Sequence, residues 1–118
     1  MKTKLIYVTT ASSDEARHIA ETVVCEHLAA CANILDGVTS IFHWDDKLCR
    51  ETEAVLILKT TKERADELTE RIKALHSYEC PCIVALPIDG GNADFLQWVQ
   101  SNVEPARKNK TTDSPHVR

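Results

Sequence analysis

The sequence has no excess of positive charge. Its 14 lysines and arginines stand against 18 aspartates and glutamates, a formal charge of −4. A nucleic-acid partner calls for a basic face, so none is expected. The acidic balance suits solubility and leans slightly toward a cation as guest. Long apolar runs are also missing. None approaches the roughly 18 residues that a membrane span requires. Met1-Lys2-Thr3-Lys4 leads directly into the short stretch Leu5 to Val8, with no cleavage pattern behind it, so no signal peptide and a cytoplasmic location are expected. Cysteine is present but in odd number, at positions 25, 31, 49, 80 and 82. Without a signal, that count gives no disulfide framework, and reduced thiols are expected. Glycine is scarce, and Asp89-Gly90-Gly91 reads as a turn and not as a phosphate cradle. No nucleophile, base and orienting group form a recognisable set, and nothing places Cys31 beside His76. The chain is therefore not expected to be an enzyme. There are no internal repeats.

What is present is one ordinary domain. The 118 residues are 43% apolar and 27% charged, a globular balance with room for a single core. Leu5-Ile6-Tyr7-Val8-Thr9-Thr10 is apolar on both parities and reads as a central strand. Ser12 and Glu15 have capping-box spacing, followed by Ala16, Ile19, Ala20, Val23 and Val24 on one helical stripe that should end near Leu28. Two long β-like runs follow, residues 32–44 and 48–59, joined by a turn at Asp45-Asp46-Lys47. Gly37 marks a bulge or bend in the first. Each run is about twice the usual strand length of five or six residues. So small a domain has little material to cover such a hairpin, and bare edges invite pairing, most simply with another subunit. Thr60-Thr61-Lys62-Glu63 has the spacing of a second capping box, and Ala65, Leu68, Ile72 and Leu75 form the stripe of a second helix, with Glu67 and Arg71 as an i, i+4 pair outside. Residues 82–88 make a fourth strand, with Pro87 at an edge or an end. Asn92 caps a short third helix that turns Phe95, Trp98 and Val99 inward. The order β-α-β-β-α-β plus a terminal helix is the split βαβ, a ferredoxin-like α+β fold with both helices on one face of an antiparallel sheet. A single domain over residues 1–103 and a polar, disordered tail over 104–118 are expected.

Several blocks carry a resemblance. Leu28-Ala29-Ala30-Cys31-Ala32-Asn33-Ile34, Ser40-Ile41-Phe42-His43-Trp44, Leu58-Lys59-Thr60-Thr61, His76-Ser77-Tyr78-Glu79-Cys80-Pro81 and Phe95-Leu96-Gln97-Trp98 occur in an order that resembles the CutA divalent-cation tolerance family over about residues 4–102. The resemblance implies a homotrimer built like the PII signalling proteins. It implies tolerance to divalent metals, copper above all, and no established catalysis. The copper site credited to bacterial members combines a first-strand thiol with two adjacent histidines closing the second helix. Here those positions hold Val8 and Leu75-His76, the proline after the histidine is Ser77, and the glutamate after Pro81 is Cys82.

The last departure suggests a relocated metal site. In extended chain Cys80 and Cys82 point to the same side, and paired thiolates suit Cu(I) or Zn(II). His76 lies close in sequence, so His76, Cys80 and Cys82 are the candidate ligands for copper or another divalent cation. In the other reading both cysteines are small buried hydrophobes. Trp44, Glu53, Lys59, Tyr78 and Trp98 are candidates for a PII-like cleft between subunits that takes a small molecule, or else they pack an interface.

Overall fold

The computed structural model describes residues 2–104. From residue 105 on, the expected tail lies outside the described residues. The elements run β1 (Thr3–Thr10), α1 (Ser13–Cys25), β2 (Cys31–Trp44), β3 (Lys47–Thr61), α2 (Lys62–Leu75), β4 (Ile83–Ile88) and α3 (Ala93–Val103). The four strands form one antiparallel sheet in the order β2-β3-β1-β4. That is the expected ferredoxin-like α+β topology. β1 is central, and Pro87 sits on the edge strand β4 opposite Lys4, where a missing N–H costs no ladder bond.

Strand alternation decides which face holds the core. Ile6 and Val8 of β1 and Ala54, Leu56 and Leu58 of β3 share one face and are fully buried. They pack against Ile19 and Val23 of α1 and Leu68 and Ile72 of α2. Burying each of these valine, leucine and isoleucine side chains contributes about 1.5–3 kcal/mol. Ala30, Val99 and Val103 form a smaller cluster under α3, with Phe95 and Trp98 half-buried against it. The carbonyls at the end of α3 are taken by side chains from elsewhere: Arg64 Nε donates to Val103 O at 2.7 Å, and His27 Nδ1 lies 2.9 Å from Asn102 O.

Helix ends differ from the sequence reading in instructive ways. Ser12 caps α1 as expected, its hydroxyl accepting the Glu15 N–H at 3.1 Å. The helix stops at Cys25 and not near Leu28, because His27 adopts φ 60°. The Leu28 and His27 N–H groups then close onto the Val23 and Val24 carbonyls, the paired bonds of a Schellman ending. The second capping box does not form. Thr60 is still in β3 and fully buried, and its hydroxyl donates to Leu28 O at 2.7 Å. Thr61 is the N-cap residue and makes no side-chain cap bond. Nor does Arg71 pair with Glu67. It reaches across to Glu26 at the end of α1 with two bonds of 2.9 and 2.8 Å, while Glu67 pairs with Arg64.

The long hairpin is real. Asp45 and Asp46, both at positive φ, make its two-residue turn, the handedness that matches strand twist. Between Leu35 and Val38 the register slips, with Gly37 at φ 71° and its N–H held by Asp36 Oδ1 at 2.8 Å. Beyond this bulge both hairpin faces lie largely uncovered. Ile41 is 63% exposed and Leu48 51% on one face, and Trp44 is 58% exposed on the other. The domain is accordingly elongated, 52 × 27 × 24 Å.

Candidate functional site

The sheet face turned away from the helices forms the floor of a cleft of about 710 Å3. Three strands build it by alternation. β1 supplies Tyr7 and Thr9, the parity opposite to core residues Ile6 and Val8. β3 supplies Cys49, Glu51 and Glu53 at i, i+2 and i+4. β2 supplies Phe42 and Trp44 from the hairpin. The loop between α2 and β4 closes one side with Tyr78, Glu79, Cys80 and Cys82.

That loop is fastened at several points. The His76 side chain is wholly buried. Its Nε2 lies 2.7 Å from the Thr9 carbonyl, which can only accept, so this nitrogen carries the proton. Its Nδ1 accepts the Tyr78 N–H at 3.1 Å. Glu15, at the start of α1, accepts the Ser77 N–H through Oε2 at 2.7 Å and the Ala11 N–H through Oε1 at 3.0 Å. Burial alone would raise the Glu15 pKa. Hydrogen bonds from the Ser77 hydroxyl and from the Ala11 and Ser77 amides, with His76 nearby, more than offset it and hold the carboxyl below its ordinary value. At mid-loop the Tyr78 hydroxyl donates to Glu53 Oε2 at 2.7 Å. Burial pushes the phenol well above its usual range, and the hydrogen bond and charge of Glu53, with the charges of Glu15 and Glu51, push it further. Beyond Pro81 the Thr9 N–H reaches Cys82 O at 3.4 Å, extending the β1–β4 ladder past Ile83.

Of the five cleft candidates, Trp44, Glu53 and Tyr78 come together here. Lys59 lies farther along β3, opposite Leu5 and Cys31, with its ammonium on Asn33 Oδ1. Trp98 lies on α3, its ring stacked 5.7 Å from Phe95. Of the three metal candidates, Cys80 and Cys82 both line the cleft and are exposed in the single chain. His76 has both ring nitrogens engaged by the backbone. Among the described residues, no group of three or more His, Cys, Asp or Glu side chains is arranged to hold a metal ion. The sequence reading missed Tyr7, Thr9 and Cys49 as cleft residues. Strand parity was the signal for all three, since each sits on the face opposite the core set.

Fold and cleft together define an α+β protein of ferredoxin-like topology whose polar groups gather on an uncovered sheet face. The family described as CutA1 divalent ion tolerance protein matches residues 4–102, and the chain belongs to that family. It is 44% identical to the divalent-cation tolerance protein CutA of Thermus thermophilus over 84% of this chain and 96% of that one. A solved structure of the Thermus thermophilus protein superposes with a TM-score of 0.84 at 43% identity, covering 86% of this chain and 99% of that chain. CutA1 from Oryza sativa superposes with a TM-score of 0.86 at 36% identity, covering 90% and 97%. The full rice sequence, named a chloroplastic CutA 1, is 39% identical over 83% of this chain, which spans only 55% of its length. The Archaeoglobus fulgidus structure, named periplasmic, gives a TM-score of 0.84 at 41% identity, covering 86% and 99%. The Thermus and Archaeoglobus relatives are named for divalent-cation tolerance and not for a reaction. Among the described residues no helix is long and apolar enough to cross a membrane.

Proposed function

We propose that the chain is one subunit of a cytoplasmic homotrimer that supports tolerance to divalent cations, copper foremost, by binding metal ion in a cleft completed between subunits. The observation that carries this reading is the bare hairpin. Ile41, Phe42, Trp44 and Leu48 are exposed on its two faces, and the same strands form one wall of a cleft that carries two exposed thiols. Apolar surface of this kind is stable in water when a partner covers it. A second copy of the same sheet is the partner that family membership supports. The free thiols of Cys25, Cys49, Cys80 and Cys82 suit a reducing compartment.

A second reading has its own support. The Tyr78–Glu53 pair and Trp44 give the cleft a polar clamp and an aromatic wall, the furniture of a small-molecule site in a PII-like sensor. One experiment separates the two. Equilibrium dialysis of the reduced protein with Cu(I), Cu(II) and Zn(II), at a sedimentation mass of three chains, should give bound ion in simple proportion to subunits. A trimer that retains none of these ions favours the small-ligand reading. A mass near 13.2 kDa, that of a single chain, rejects both.

A further inference from the structure

We propose that Cys80 and Cys82 form a two-coordinate thiolate site for a soft monovalent ion, Cu(I), at the wall of the cleft. This deepens the metal-binding reading above and rests on it. The backbone sets the geometry. Thr9 pairs with Cys82 one step beyond the Val8–Ile83 pair. Tyr7 and Thr9 face the cleft, so Cys82, opposite Thr9, faces it too. Pro81 holds its own φ near the extended range and keeps Cys80 out of the helical region. The chain bends at Cys80 before it straightens into β4, and Cys80 and Cys82 both line the same cleft and are exposed.

The surrounding groups select the ion. His76, the nearest imidazole in sequence, is wholly buried, with Nε2 on the Thr9 carbonyl and Nδ1 on the Tyr78 amide. Using it as a ligand would break a bond that anchors the loop. Glu53, the carboxylate beneath the loop, already accepts the Tyr78 hydroxyl. A closed zinc site needs four ligands, and no group of three is arranged among the described residues. Two adjacent thiolates without a third donor match the linear coordination that monovalent d10 ions accept, and soft sulfur favours Cu(I) over harder divalent ions. The loop is fixed on both flanks of the pair, by Glu15 on the Ser77 amide and by the ladder bond at Cys82, so little ordering is needed on binding.

The test titrates Cu(I) anaerobically into the full reduced chain against the chromophoric chelator bicinchoninate. Zn(II) and Cu(II) are titrated in parallel. Wild type is compared with Cys80→Ser, Cys82→Ser, the double variant and Cys49→Ser, with circular dichroism checking that each is folded. The expected result is one Cu(I) per chain, two sulfur neighbours by X-ray absorption, loss of stoichiometric binding in both single variants, and retention in Cys49→Ser. Full Cu(I) binding by the double variant overturns the assignment, as does loss of binding in Cys49→Ser, which would make the site a three-thiolate one. Binding of divalent ions without Cu(I) sinks this inference and leaves the proposed function standing. Binding of no ion at all removes both.

Discussion

The Tyr78 hydroxyl donates a 2.7 Å hydrogen bond to Glu53 Oε2, tying the loop after α2 to the middle of β3 across the cleft. Glu53 is buried, so this bond satisfies a carboxylate that has left water. Tyr78→Phe should destabilise the fold by about 1–3 kcal/mol, because the acceptor stays behind unpaired. Urea unfolding checks this. A double change that also replaces Glu53 by Gln should cost less than the sum of the two single changes, the mark of a direct contact.

The same pair fixes an alkaline limit. The Tyr78 phenol is held above its ordinary value, mainly by burial and then by Glu53. An unfolded tyrosine ionises near pH 10 while the folded one does not. The stabilisation is therefore complete below about pH 10 and is lost as pH rises toward the folded value. Absorbance titration of phenolate should show a late-ionising group that disappears in Tyr78→Phe.

The acid limb has the opposite sign. Glu15 has a folded pKa below its ordinary value of 4.5. Its contribution is present above pH 4.5 and is lost as pH falls through the lower folded value. Glu15→Gln should lower stability at neutral pH and flatten the loss seen between neutral and acid. Chemical unfolding at several pH values checks it, and an unchanged acid slope would contradict the loop-anchoring role.

Adjacent threonines at the start of α2 should behave differently. Thr60 donates from a fully buried position to Leu28 O, while Thr61 makes no cap bond. Thr60→Val, nearly isosteric, should cost about 1–3 kcal/mol by orphaning that carbonyl. Thr61→Ala should fall at the low end of N-cap losses, about 0.5 kcal/mol. Thermal unfolding of the two variants decides whether the cap or the cross-link holds this corner.

These residues also show how far the sequence could be read. Periodicity found every element, because Ile19/Val23 and Leu68/Ile72 keep helical spacing while β1 and β3 are continuous β-formers. The hairpin turn and the Gly37 slip were legible because positive-φ positions restrict the residues that fill them. Thr60 misled, since the pattern Ser/Thr-x-x-Glu cannot tell a cap from a threonine still buried in a strand. Arg71 misled because a helix surface pattern shows the i, i+4 neighbour and not Glu26 on another helix. At the site, local spacing placed Cys80 and Cys82 together. It could not reveal that His76 is buried and bound by Thr9, a residue 67 positions away. Lys59 and Trp98 were grouped with the cleft through the implied architecture, and one chain keeps both away from Trp44 and Tyr78.

Hairpin surface and core should separate cleanly under mutation. Leu68→Ala removes a fully buried side chain and should cost about 2–5 kcal/mol of subunit stability. Ile41→Lys and Leu48→Lys alter exposed positions and should leave the circular dichroism of the subunit intact while weakening assembly. Sedimentation velocity over a dilution series reads the difference.

The most direct test of the whole account is native mass spectrometry of the reduced protein, with and without added copper. The account predicts a single species of three chains that gains mass in steps of one ion, up to at least one ion per subunit. A species near 13.2 kDa that gains no mass would contradict both the assembly and the metal-binding role assigned to it.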